Sequence, residues 1–250
     1  MRIFAKEMKE FFRTYKIYVV PGIFLLFGFA SPIITKLLPE LLGSMVEEMG
    51  FPLPEMTWED SYSQFFKNVY QIGILAVILT TMGTIADERG KGVAQLVLTK
   101  PVSRNGYVLA KYAANLLIMS ITALLAFHAT WLYTKVLFDG TQYLSGLYAT
   151  GIFIVYLAVI LALMIFSSSL TKTPVASGGI AVLGLFITSI LSLFSKGLNK
   201  YSPGALVEYT NQVLGGTANT TELGCALLVA LGTCIALLAL ACFIFQRQEL

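Results

Sequence analysis

The residues best suited to chemistry fall in one charged stretch, residues 87–111, DERGKGVAQLVLTKPVSRNGYVLAK. Within it, Gly90-Lys91-Gly92 has the look of a phosphate-binding loop. A phosphate cradle needs the frame GxxxxGK[ST] after a strand, so that backbone N–H groups and the lysine converge on the phosphates. The upstream glycine at that spacing, the following Ser or Thr and the strand are all missing, so the stretch is not read as an ATP site. The sequence holds no HExxH, no GxSxG and no pair of aspartates inside its apolar runs, and no catalytic residue is assigned. The single histidine, His128, lies in an apolar run beside Phe127 and Trp131. An ionisable group in such a run marks a candidate pathway. The ordinary alternative is a neutral histidine hydrogen-bonded to another helix, and one histidine makes no metal site. His128 and Trp131 are therefore candidates for a substrate path, and no metal ligands are assigned. Cys225, Cys234 and Cys242 all fall in the last apolar run at spacings that fit no zinc pattern, so they are read as small packing residues.

The elements that must position these residues are apolar. Hydrophobic residues make up 56% of the 250 and charged residues only 12%, about half the share usual in a soluble domain. Mean hydropathy is +0.76. The composition is that of an integral membrane protein, and the net charge of +3 says little because the charges are unevenly placed.

A membrane-crossing helix needs about 20 mostly apolar residues. Six segments qualify: 17–38, 69–86, 112–133, 147–168, 175–194 and 223–245. The second is short, and the first contains Pro21, Pro32 and Lys36. The basic residues set the orientation. Arg2, Lys6, Lys9, Arg13 and Lys16 precede the first segment, Arg89, Lys91, Lys100, Arg104 and Lys111 lie between the second and third, and Lys172 and Arg247 fall on the same side. The positive-inside rule then places both termini and the 87–111 loop in the cytoplasm of a multi-pass plasma-membrane protein. Gly28-Phe29-Ala30 loosely resembles a signal-peptide cleavage site. Cleavage is set aside because the apolar run continues past it and its loss would spoil the charge topology.

Outside the spans, Arg2, Lys6, Lys9, Arg13 and Lys16 recur every three or four residues, and Phe4, Met8, Phe11 and Tyr15 repeat on a neighbouring arc with Ile3 and Phe12. Residues 1–16 are expected to form an interfacial helix, apolar face down and basic face toward anionic lipid. The loop 39–67 is acidic and is read as a solvated outer face whose first half, Leu38 to Met49, has helical spacing. The loop 195–222 admits two readings. One is a surface loop; the other is a short helix begun at Ser202-Pro203, passing through Val207, Tyr209 and Val213, ended by Gly215-Gly216 and dipping into the outer leaflet before the sixth span.

In the 87–111 stretch, Glu88 follows the second span, Gly92 comes four later, Pro101 nine after that, Arg104 three after the proline, and Lys111 enters the third span. This resembles the loop of type-2 ATP-binding-cassette (ABC) transporter permeases, in which a glutamate, a glycine, P-x-x-R and a lysine recur at similar intervals. Val93 departs from the pattern, since Thr or Ser is frequent there. With six spans, a basic leader and a Ser-Pro element before the last span, the resemblance takes in nearly the whole chain. It implies a coupling helix between spans two and three that docks on a separate ATPase subunit, with Glu88, Gly92, Pro101, Arg104 and Lys111 serving docking and loop geometry. The residues are compatible with this: Val93, Leu96, Val97 and Leu98 are apolar but too short to span, Pro101 ends the segment, and Ser103 is placed to cap the next helix.

The expectation is thus an all-α, single-domain membrane subunit of an ATP-driven exporter. By resemblance it pairs with a second permease as a homodimer, is served by two cytoplasmic ATPase subunits that bind the ATP and Mg, and carries no cofactor and no nucleic acid itself. Few charges line its spans, which points to amphipathic or hydrophobic cargo such as a drug or an antimicrobial peptide. The alternatives are a regulatory membrane subunit holding a cytoplasmic partner through the same loop, and a membrane-embedded enzyme.

Overall fold

The computed structural model describes residues 2–47, 55–98, 103–194 and 200–248. Among these the chain is helical throughout its ordered elements. A short helix α1 (Arg2–Arg13) leads into the long α2 (Lys16–Glu47). Next come α3 (Trp58–Asn68), a single π-helical turn (Val69–Gly73) and α4 (Ile74–Thr81), which run on as one rod. Two short helices, α5 (Ala86–Gly90) and α6 (Val93–Leu98), precede α7 (Arg104–Leu137), α8 (Tyr143–Leu170) and α9 (Pro174–Phe194). The chain ends in the short α10 (Ala205–Leu214) and the long α11 (Thr220–Arg247).

Among the described residues, five helical stretches are long and apolar enough to cross a membrane: Lys16–Glu40, Trp58–Gly90, Arg104–Leu137, Tyr143–Leu170 and Thr220–Arg247. The expected fifth segment, 175–194, falls on α9, whose stretch Pro174–Ile187 is apolar but shorter than a crossing. The boundaries differ from the sequence reading, most at the start of the second span and the end of the first helix. The second span begins at Trp58 rather than 69, because Thr57 and Asp60 form a capping box: the Thr57 backbone N–H donates to Asp60 Oδ2 at 2.8 Å. The charged Glu59, Asp60 and Lys67 dilute the hydropathy there without breaking the helix. The first helix continues beyond the span, through Pro39 to Glu47, so the helical spacing after Leu38 belongs to α2 and not to a separate outer helix.

The bundle is held by apolar packing with a few polar stitches. Phe24, Phe66, Tyr70, Phe127 and Phe153 are buried in one continuous core. Gly28 lets α2 lie close on α7, since a Cβ there would sit 2.9 Å from the Ala126 carbonyl oxygen. Buried Thr80, Thr81, Thr122, Thr130 and Thr150 donate their hydroxyls to carbonyls four residues back, which satisfies them inside apolar helices. Between helices, Ser61 and Thr134 hydroxyls meet at 2.8 Å, and Asn68 Nδ2 donates to Ser31 Oγ at 3.1 Å.

Of the two readings of the last outer loop, 195–222, the structure holds the one with a short helix, Ala205–Leu214. Leu206, Tyr209 and Thr210 of α10 are buried, α10 packs on α8, α11 and α3, and the Tyr70 and Thr210 hydroxyls lie 2.8 Å apart. Gly215 and Gly216, the latter at φ +65°, end it. The bundle therefore has two dissimilar ends. One gathers α1, α5, α6, the start of α7 and the C-termini of α8 and α11; the other gathers α10, the start of α3 and the α7–α8 connection.

Candidate functional site

At the α1 end, the chain leaves α4 and makes an elbow whose two arms are α5 and α6. The elbow is fastened from behind by α8. Ser168 Oγ accepts from the Ile85 and Ala86 backbone N–H groups at 3.0 and 2.8 Å, satisfying donors that open α5. Arg89 turns its guanidinium onto the C-terminal carbonyls of α8, with Nη1 2.6 Å from Ser169 O and 3.1 Å from Thr171 O. A cation on those orphan carbonyls also meets the negative end of the α8 dipole. Gly90 lies against the Lys172 carbonyl, where a Cβ would approach within 2.5 Å. Gly92 then turns the chain at φ +71°, a conformation costly to any residue with a Cβ. In α6, Ala94 is buried while Gln95 and Leu96 face outward.

Beyond the elbow, Ser103 caps α7 by accepting from the Gly106 N–H at 3.1 Å. Arg104 does for α11 what Arg89 does for α8: Nη1 donates to Gln246 O at 2.8 Å and to Gln248 O at 2.9 Å. Pro101 lies outside the described residues, as do Lys100 and Val102.

The core of the site is an ion cluster beneath the elbow. Lys111 is 1% exposed, and its ammonium lies 2.8 Å from Glu7 Oε1 and 3.1 Å from Glu88 Oε2. It also sits 5.1 Å from the centre of the Tyr107 ring, which stacks on Phe245 at 5.3 Å. Glu88 further accepts from the Tyr107 hydroxyl and from Lys6. Glu10 completes the set, 3.5 Å from Lys6 and 3.6 Å from Lys16. A buried charge is tolerated only when paired and hydrogen-bonded. Here three carboxylates meet three ammonium groups, so the cluster is formally neutral. Burial alone would push the Lys6 ammonium pKa down; Glu88, Glu7 and Glu10 outweigh it and hold it well above the ordinary lysine value. The carboxylates of Glu7, Glu10 and Glu88 lie close enough to share one cation, yet the cations gathered among them are those of Lys6 and Lys111.

Of the residues singled out from sequence, Glu88 and Lys111 come together directly. Arg104 and Gly92 shape the backbone on either side. All three charged side chains turn into the bundle rather than toward the outward face of the elbow. Glu7 and Tyr107 escaped the sequence reading. Glu7 had a signal: it interrupts the apolar arc of Ile3, Phe4, Met8 and Phe11, and an acid on a buried face needs a buried partner. Tyr107 had none beyond its place four residues before Lys111.

His128 and Trp131 lie at the other end of the bundle. His128 Nδ1 is 2.7 Å from Leu124 O and Nε2 is 3.0 Å from the Tyr143 hydroxyl, so both ring nitrogens are engaged. Because a carbonyl oxygen only accepts, Nδ1 is the donor to Leu124. Tyr143 also packs edge-on against Trp131 at 4.9 Å. At the same end, α2, α3 and α10 line a half-open cavity of about 410 Å³ with Thr35, Asp60, Gln64, Lys67 and Asn211 among its walls, beside apolar Phe66 and Val207.

The whole chain, residues 1–250, matches the model of the ABC-2 family transporter proteins, and the chain belongs to that family. It is also 23% identical over 261 aligned positions to YxlG of Bacillus subtilis (strain 168), described as an uncharacterized transmembrane protein; the alignment takes in 100% of this chain and 98% of that one. The protein is accordingly a multi-pass membrane component of an ABC-2 transporter.

Proposed function

We propose that this ABC-2 family member is the permease subunit of an ATP-driven exporter and that the α5–α6 elbow is where a separate cytoplasmic ATPase subunit engages it. The observation that carries the reading is the clamping of the elbow. Glu88, Arg89 and the Ile85 and Ala86 N–H groups hold one arm, and α7, opened by the Ser103 cap, is bound to that arm through Lys111. A segment meant to pass force to helices must be rigidly joined to them, and this one is tied to α1, α7 and α8 at once.

In this reading the α1 end is cytoplasmic, as its excess of Lys and Arg favours. α9 completes six crossings, since the 21 residues of Pro174–Phe194 rise roughly 31 Å as a helix. One six-helix unit is half of a transporter, so two copies pair, and two ATPase subunits bind the ATP and Mg. The subunit itself is not an enzyme. The mixed polar and apolar cavity at the far end favours an amphipathic cargo.

The test is co-purification with the cognate ATPase subunit followed by ATPase assay in lipid. The expected result is a stable complex whose hydrolysis changes with the permease present. Glu88→Ala should weaken that change while the protein still inserts. A wild-type chain that neither binds nor alters its cognate ATPase would falsify the reading.

A further inference from the structure

The basic stripe of α1 is divided. Lys6 and Lys16 are committed to carboxylates of the protein, as is Lys111 beneath them. Lys9 and Arg13 are exposed, and among the described residues no carboxylate pairs with either. They stand one helical turn apart and line, with Ala5, Lys6 and Glu10, an open groove along the outward side of α1. Aromatic rings flank them on the same side and at the helix junction: Phe12 is 61% exposed, Tyr15 66% and Tyr18 80%. Lone exposed aromatics are ordinary. Three of them beside two uncompensated cations, at the edge of a membrane bundle, are the composition of an interfacial anchor. The opposite arc of the same helix is already spoken for, since Glu7 and Phe11 are buried against α7 and the core.

We propose that the Lys9–Arg13 face of α1 binds anionic phospholipid headgroups of the inner leaflet, with Phe12 and Tyr15 seated among the lipids beside them. The positive charges meet the phosphate and the net negative headgroup, and the rings occupy the boundary layer between headgroup and acyl chain. Lipid charge thereby presses on one side of a helix whose other side supplies Glu7, and whose edge supplies Lys6, to the cluster under the elbow. Anionic lipid therefore holds the cluster assembled. This rests on the inner-face placement of α1 and not on the docking of an ATPase.

The experiment is hydrogen–deuterium exchange of the full-length protein in nanodiscs of phosphatidylcholine alone or of phosphatidylcholine with phosphatidylglycerol. The expected result is slower exchange of the α1 amides in the anionic discs. Two cations near such a surface shift a local opening equilibrium by roughly thirtyfold, and the gain should fade at high salt. Lys9→Gln/Arg13→Gln should abolish the difference between the two lipids while matching wild type in phosphatidylcholine, which shows that the variant is folded. Equal exchange of wild type in the two lipids overturns the proposal. So does a gain that survives in the double variant, or protection that appears only when the ATPase subunit is added, which would assign the face to that protein instead.

Discussion

Lys111 and Glu7 stand 104 positions apart in the chain, yet the Lys111 ammonium donates to Glu7 Oε1 at 2.8 Å with both side chains shut away from solvent, 1% and 9% exposed. The first helix is thus tied to the entrance of α7 by a charge pair that neither helix could hold alone. Glu88 joins the same ammonium from the elbow, so a single cation binds three segments.

Lys111→Met should destabilise the protein by about 3–5 kcal/mol, because it leaves two carboxylates buried with less positive charge than before. Glu7→Gln added to it should return part of that loss, giving a coupling of about 1 kcal/mol or more in a double-mutant cycle. Unfolding in detergent, followed by tryptophan fluorescence, reads both. A Lys111→Met protein as stable as its parent would show that the pair does not clamp α1.

Arg104→Ala should loosen the end of α11 rather than the whole bundle. Charge-assisted bonds to Gln246 and Gln248 carbonyls are lost, at about 1.5–3 kcal/mol locally. Exchange of amides over 243–248 should accelerate while that of α2 stays unchanged. Arg104→Lys should recover only part, since an ammonium is a more strongly hydrated point charge on a more flexible stem than the planar guanidinium. Uniform acceleration across the protein would argue for a general folding role.

Gly90→Ala and Gly151→Ala make a matched pair. At Gly90 a methyl group would meet the Lys172 carbonyl at 2.5 Å, and backbone must move, at about 1–3 kcal/mol. At Gly151, exposed in mid-α8 with nothing within 4 Å, alanine should be neutral or gain up to about 1 kcal/mol in helix propensity. Comparable losses at both sites would mean that the contact between the elbow and the α8–α9 link is not tight.

The pH response of α1 follows from Lys6. Its pKa in the folded protein is raised, so its contribution is complete below the ordinary lysine value and is lost only as pH climbs through the higher folded value. Protection of α1 amides, corrected for intrinsic exchange, should stay flat from neutrality to about pH 9 and weaken only beyond the ordinary lysine range near pH 10.4. A midpoint near neutrality would place the controlling group elsewhere.

The sequence reading fared best where the physics is one-dimensional. Apolar runs of α7, α8 and α11 declare themselves, because a lipid-facing helix has nothing but its own length and hydropathy to satisfy. The Ser103 cap was legible for the same local reason. Span two was misjudged at its start because Glu59, Asp60 and Lys67 lower the hydropathy of residues that remain helical around buried Tyr62, Phe65 and Phe66. The first span was ended at 38, ahead of the acidic loop, yet the helix runs on through Pro39 to Glu47, since a proline costs one backbone bond and neighbouring turns carry the rest. The ion cluster was half visible. Glu88 and Lys111 stood out in a motif, whereas Glu7 lay in a helix whose basic face was read as turned toward anionic lipid. Pairing across a bundle is a property of the fold, and no spacing in the chain announces it.

Arg89, within the elbow, and Arg104, at the head of α7, are each bound to the carbonyl end of a different helix, α8 and α11. A segment fastened in this way is a yoke. In the reading proposed above, a push on the elbow reaches α8 through Arg89 and the head of α7 through Glu88 and Lys111, and Arg104 harnesses the end of α11 to that head.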